Sequence, residues 1–266
     1  MEGFSMLLYH NPISSCSQKV RMALHEKGLA YEGKILDLQK GDQFDPDYVK
    51  LNPNAVVPTL DDNGTVLIES TLINEYLDDA YPEVALKPAT ADGRHRMRLL
   101  TKKIDEKLHP ACAAMTFAIG ARPGMMARPE EEREALINSI PDPVHRAARR
   151  SVVENGVFAP EVKSAMDVHN TMFDTANDLL SDTEWLAGDE FSLADCALIP
   201  YALRMDHLSQ GELIESRGEL ARWYNAVRAR PAYEAAVASW LPEPLVKMFN
   251  DAGNAVADDL KKAIAG

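Results

Sequence analysis

Cysteine is scarce in this chain. The three present, Cys16, Cys112 and Cys196, are widely separated, with no C-x-x-C pair and no metal-ligand spacing, and the seven histidines are equally scattered. Neither a disulfide framework nor a metal site is expected from such a pattern. Basic charge is also short. Lys and Arg number 28 against 41 Asp and Glu, a formal net charge of -13, and a nucleic-acid surface needs the opposite balance. No run approaches the roughly 18 to 20 apolar residues that span a bilayer, and the start, MEGFSMLLYHNP, has no basic region followed by a long apolar stretch. The expectation is a cytoplasmic protein with no membrane partner. With 266 residues, 46% of them hydrophobic, the chain can bury one large or two medium cores.

What is present is an ordered alternation. Residues 6–10 (MLLYH) read as a strand, 18–29 as a helix with Val20, Ala23 and Leu24 on one face and Gly28 just past its end, and 31–38 as a second strand. This βαβ unit predicts parallel strands joined by a crossover helix. Residues 59–61 and 65–69 flank Asp62-Asn63-Gly64, a strong hairpin signal. Ser70 is then expected to cap a helix carrying Leu72, Ile73, Tyr76 and Leu77. The βαβ-ββα order predicts a mixed α/β domain of the thioredoxin type over residues 1–82, followed by a Pro-containing linker over 83–92. From residue 93 to 266 only helical stretches are found, at 94–108, 130–140, 144–155, 160–180, 193–207, 219–227 and 243–265, so this part is expected to be all-helical.

Three segments carry chemical interest. Ser14, Ser15, Cys16 and Ser17 lie between the first strand and its helix, where unpaired N–H groups and partial positive charge favour a thiolate. In Asn52-Pro53-Asn54-Ala55-Val56-Val57-Pro58, a proline just before a strand cannot donate a ladder bond and leaves the Val57 backbone to pair with something extended, or simply starts the strand. Glu69-Ser70 puts a carboxylate and a hydroxyl at another helix start, suited to a carboxylate ligand or to capping alone. Ser192-Leu193-Ala194-Asp195 has the form of a capping box, with Phe191 placed as its hydrophobic staple, and is read as structural.

In this order, LYHNPISSCSQKVRMALHEKGL, LNPNAVVPTL, the ES pair with TLINEYLDDAYP, and WLAGDEFSLADCALIPY resemble the cytosolic glutathione transferase family over nearly the whole chain. The resemblance implies an N-terminal thioredoxin-like glutathione-binding domain, an all-helical domain lining an electrophile site, and a homodimer. Glutathione would be the co-substrate, with no metal. Position by position, the family's cis-proline falls on Pro58, the backbone that pairs with the cysteinyl part of glutathione on Val57, and the grip on the γ-glutamyl end on Glu69 and Ser70. Gln43 matches a residue that reaches the glycyl carboxylate, while Phe44 stands where lysine is common and Val56 where glutamine is frequent. The thiol-activating residue matches Ser14 in phi-like and tau-like members, Cys16 in beta-like members and Ser17 in theta-like members. The phi pattern lies nearest, which puts Ser14 first and Ser17 as its rival.

Residues 112–160 are longer than common members have there, and Ile13, Met115, Phe117, Met125 and Met126 are candidates for an apolar electrophile pocket. Those methionines and the phenylalanine could equally be helix core, and the run of Arg146, Arg149 and Arg150 reads as a solvated face or an anion site. The stretch INSIPDPVHRAARRSVVENG resembles the glutathione-dependent β-etherases of sphingomonad bacteria, in which the glutathione thiolate displaces an aryloxide from the carbon beside a ketone. Cys16 departs from those enzymes, where asparagine precedes the serine matching Ser17. The alternatives are a disulfide reductase or peroxidase using Cys16, and a glutathione-binding regulatory protein without turnover.

Overall fold

The computed structural model describes residues 6–265. By contacts the chain divides into two compact units. One comprises the described residues through 101, 183–200 and 223–241, the other 102–182, 201–222 and those from 242 onward.

The first unit is built on β1 (Met6–His10), α1 (Ser15–Glu26), β2 (Glu32–Ile35), α2 (Pro46–Leu51), β3 (Thr59–Asp62), β4 (Thr65–Leu67), α3 (Ser70–Ala80) and α4 (Ala91–Lys103), whose last residues pass into the second unit. The strands form one mixed sheet in the order β2-β1-β3-β4, of thioredoxin-like type. β1 runs parallel to β2 and antiparallel to β3, as the βαβ-ββα reading requires. Alternate residues Met6, Leu8 and His10 of β1 are buried, and Leu8, Val20, Ala23, Leu24, Leu60, Ile73 and Leu77 fill the core.

α1 begins three residues earlier than the periodicity suggests. Ser14 is its N-cap, and its Oγ accepts the Ser17 N–H at 3.3 Å, so the hydroxyl cluster itself enters the first turn. The helix ends as expected at Gly28 (φ 66°), where Leu29 N–H donates to Leu24 O at 2.9 Å and Gly28 N–H to His25 O at 3.1 Å. The Asn63-Gly64 turn has positive φ at both residues, 52° and 90°. The capping reading of Ser70 needs correction. Glu69 occupies the cap position with φ 68° and makes no side-chain cap bond, and Ser70 is the first residue inside α3. Residues 83–92 are tied down rather than loose: buried Lys27 and Asp78 pair at 3.0 Å, and Asp78 also accepts the Leu86 N–H at 2.6 Å.

Helices make up the rest. They are α5 (His109–Met115), α6 (Arg122–Met126), α7 (Glu130–Asn138), α8 (Pro143–Asn155), α9 (Pro160–Asp182), α10 (Leu193–His207), α11 (Glu212–Glu215), α12 (Gly218–Arg228), α13 (Pro231–Ala236), α14 (Glu243–Ala255) and α15 (Ala257–Ala265). Two π-helical segments, Ile104–Leu108 and Thr116–Ala121, join α4 to α5 and α5 to α6. The stretch predicted as one helix over 243–265 breaks at Val256, between α14 and α15.

The start of α10 is capped by side chains. Asp195 accepts the Ser192 N–H at 2.8 Å, and Ser192 Oγ accepts the Ala194 N–H at 3.2 Å. Phe191 stacks edge-on against Trp185.

Candidate functional site

Strand register brings four loops to one end of the sheet. Ile35 lies opposite His10, Thr59 opposite Tyr9, and Leu67 opposite Leu60. Because β3 runs against the other three strands, the segments 11–14, 36–44, 52–58 and 68–70 all leave the sheet at that same end. Every glutathione-site residue expected from the sequence lies on one of these loops or in the first turn of the helix that follows it.

The first loop is held from both sides. Asn11 Nδ2 donates to Leu36 O at 2.9 Å, Ile13 N–H to Asn11 Oδ1 at 3.1 Å, and Asn11 N–H to Ser17 Oγ at 3.2 Å. Beneath it lies Arg21, fully buried and facing no carboxylate in its hydrogen bonds. Its guanidinium donates to Asn11 O at 3.1 Å, Pro12 O at 2.9 Å, Ala236 O at 2.6 Å and His10 Nδ1 at 3.0 Å. Arg21 has only protons to give, so His10 Nδ1 is the acceptor and Nε2 carries the hydrogen. Burial and the Arg21 charge hold the His10 pKa down to about 4, and burial brings Arg21 itself down to about 10. The pair therefore carries one positive charge at neutral pH, placed under the loop that leads to Ser14.

The three candidate thiol activators differ sharply in position. Ser14 is half-buried at the cap, and its oxygen accepts one N–H while its own proton goes to no other group among the described residues. Ser17 is 0% exposed, with its oxygen engaged by Asn11. Cys16, in the first turn of α1, is half-buried, whereas Cys112 and Cys196 are buried; none of the three forms a disulfide.

The Val57-Pro58 peptide is cis, as expected for Pro58. Its loop is braced by two residues that the sequence reading did not single out. Asn52 Nδ2 donates to Val56 O at 2.9 Å and Thr59 Oγ1 at 3.1 Å, and Tyr48 Oη bonds to the same two groups. Val57 buries its side chain against Leu36 and Tyr48, while its main-chain N–H and C=O make no hydrogen bond among the described residues. Asn54 Nδ2 reaches Glu69 Oε1 at 3.4 Å, which joins this loop to the start of α3. Glu69 is exposed and Ser70 buried. Gln43 sits in the turn Asp42–Phe44, and its buried Oε1 accepts no hydrogen bond among the described residues.

An unpaired main-chain edge beside a cis-proline, a capped helix start carrying a hydroxyl, and a second helix start carrying a carboxylate thus share one sheet end. The sequence matches the glutathione S-transferase N-terminal domain over residues 13–80 and the C-terminal domain over 142–231. The chain belongs to the glutathione S-transferase family. It is 31% identical over 242 residues to glutathione S-transferase 3 of Zea mays, covering 89% of this chain and 96% of that one. It is 30% identical over 259 residues to protein LigF of Sphingobium sp. (strain NBRC 103272 / SYK-6), covering 93% and 98%. The crystal structure of the beta-etherase LigF superposes with a TM-score of 0.79 at 29% identity, over 87% of this chain and 98% of that one. Glutathione is the co-substrate of glutathione S-transferases.

The candidates for the electrophile pocket divide between the units. Ile13, in the first, is half-buried. In the second, Met115 is 0% exposed on α5, which packs along α9. Phe117 and Met125 are half-buried and Met126 is exposed. Among the described residues no cluster of His, Cys, Asp or Glu could hold a metal ion, and no helix is long and apolar enough to cross a membrane.

Proposed function

We propose that this glutathione S-transferase uses the Ser14 hydroxyl to stabilise the glutathione thiolate, which attacks an apolar aromatic electrophile, with β-aryl ether cleavage as its specialisation. The observation that carries the assignment to Ser14 is its cap geometry. The hydroxyl oxygen is occupied by the Ser17 N–H and its proton is left to donate. A thiol with a pKa near 8.5 is only a few per cent ionised at neutral pH, and each unit of lowering needs about 1.4 kcal/mol in favour of the anion. One charge-assisted hydrogen bond, worth about 1.5–3 kcal/mol, supplies one to two units, and the helix N-terminus adds to it. The buried charge of Arg21 acts in the same direction.

In this reading the γ-glutamyl end of glutathione is held by Glu69 and Ser70, its cysteinyl backbone pairs with Val57 beside Pro58, and Gln43 meets the glycyl end. The thiol proton leaves to solvent, the sulfur forms a bond to carbon, and in the ether case the carbon–oxygen bond breaks with its electron pair on the departing aryloxide. The likeness to LigF supports the ether. Cytoplasmic residence and a homodimer, typical of the family, belong to the same proposal.

A second reading rests on Cys16, the one cysteine that is not buried: it would form a mixed disulfide with glutathione and serve reduction of disulfides or peroxides. Ultraviolet difference absorption of the thiolate against pH, with glutathione bound, separates the two. A depressed thiol pKa that rises by one to two units in Ser14→Ala, and stays put in Cys16→Ala and Ser17→Ala, is the expected result. Reductase activity lost in Cys16→Ala and kept in Ser14→Ala would favour the second reading. Glutathione bound with no thiolate near neutral pH, and no turnover, would leave a binding protein.

A further inference from the structure

Three arginines follow one another on α8, and two of them are satisfied. Arg146 donates to Ile140 O at 2.8 Å and Pro141 O at 3.1 Å, and Arg150 pairs with Glu134 at 2.7 Å. Arg149 is different. It makes no hydrogen bond and no ion pair among the described residues, and its guanidinium carbon lies over the Phe117 ring, 3.0 Å from the centroid. The side chain is half-buried, yet none of its nitrogens is both shut off from solvent and unbonded. Burial lowers its pKa to about 10 with no anion to offset the loss of water.

A ring packed against a guanidinium limits its reorientation, and the N–H edge stays open to solvent. That edge is the geometry that takes both oxygens of a carboxylate, and holding it in place beforehand reduces the entropy lost on binding. α6, which packs against α8, carries half-buried Met125 and exposed Met126, apolar surface for the body of such a ligand. The chain's net charge of -13 repels anions at long range, so an anionic ligand needs a local cation of this kind.

We propose that Arg149, packed on Phe117, is a receptor for the carboxylate of an apolar carboxylic acid. The anion site does not depend on the transferase reading above.

Saturation-transfer NMR titrations of the whole protein with benzoate and with its neutral analogue benzamide test it. Benzoate is expected to bind roughly tenfold more tightly or better. That preference should vanish in Arg149→Met, weaken in Arg149→Lys and survive in Arg150→Met. Equal affinity of the two probes, or a preference that survives Arg149→Met, overturns the proposal. In case Arg149→Met does not fold, the Nε–H resonance of Arg149 in the wild type gives the answer without it: a shift on adding benzoate is expected, and no shift overturns the site. Glutathione binding is titrated in parallel. Its absence would remove the transferase reading and leave the anion site standing.

Discussion

Replacing Asp195 by alanine measures how much stability one buried carboxylate organises. As a capping partner alone it would be worth about 1 kcal/mol. The structure gives it more to hold. Its two oxygens accept from Ser192 N–H at 2.8 Å, Ser192 Oγ at 2.9 Å, Leu186 N–H at 3.1 Å and Trp223 Nε1 at 2.8 Å. None of these three partner residues is more than 2% exposed. Alanine would leave the Trp223, Leu186 and Ser192 N–H groups without an acceptor, at about 1–3 kcal/mol each before relaxation, while the Ser192 hydroxyl can turn elsewhere. Allowing for water entering the vacated space, the loss should be about 3–5 kcal/mol, against a total stability on the order of 5–15 kcal/mol. In thermal unfolding followed by circular dichroism this corresponds to a fall of roughly 10 °C. Ser192→Ala, which removes one cap bond, should fall by only about 3 °C. If Asp195→Ala melts no lower than Ser192→Ala, then Trp223 and Leu186 have other acceptors available and the reasoning fails.

Acid should destabilise the protein through its buried imidazoles. His169 is 0% exposed, bonds Ala165 O through Nδ1 at 2.7 Å, and has its pKa lowered to about 4 by burial. The neutral ring is the folded form, so its contribution is complete above the ordinary value near 6.5 and is lost as pH falls from there to about 4. A shift of that size amounts to roughly 3 kcal/mol. His169→Gln should flatten the urea midpoint between pH 6.5 and 4 relative to wild type, and an unchanged slope would contradict it. Gly253→Ala should be severe, because a Cβ there would sit 2.1 Å from the Leu208 carbonyl oxygen, and a drop of more than about 3 kcal/mol in urea unfolding is expected. Gly124→Ala, where a Cβ meets nothing within 4 Å, should be neutral or slightly stabilising in the same assay.

Local chemistry made most of the first unit legible in the sequence. β1 was readable from MLLYH, the end of α1 from Gly28 and the hairpin from Asn63-Gly64, because each depends on neighbours within a few residues. The start of α1 was misplaced because apolar periodicity begins at Val20, whereas the helix is nucleated by the Ser14 cap. Helical structure over 109–126 was missed for a related reason. Pro110, Gly120, Pro123 and Gly124 resemble breaks, but Pro110 and Pro123 each come just after a π-helical segment, Ile104–Leu108 and Thr116–Ala121, where the hydrogen-bond ladder changes register and the helical run continues past a residue that cannot donate. Gly120 is required by close packing, since a Cβ would meet the Phe249 ring at 2.8 Å, a partner more than a hundred residues away.

The site shows the same division between local and distant causes. Pro58, Glu69 and the serine cluster stand out because residues of these types at strand and helix starts act on the backbone within a few positions. Tyr48, Asn52 and Arg21 do not, because their purpose lies in what they reach. Arg21 occurs in a helix as any arginine might, and only the fold turns it inward onto the carbonyls of Asn11 and Pro12. A buried guanidinium satisfied by carbonyl oxygens and a neutral histidine keeps its full charge, where a carboxylate partner would have cancelled it. In the function proposed above, that choice of partners suits a loop that favours an anion, and the two serines the sequence ranked first and second differ in what surrounds them. Ser14 Oγ accepts one N–H and donates to no other group among the described residues. Ser17, one turn of helix deeper, spends its hydroxyl oxygen on holding the loop in place.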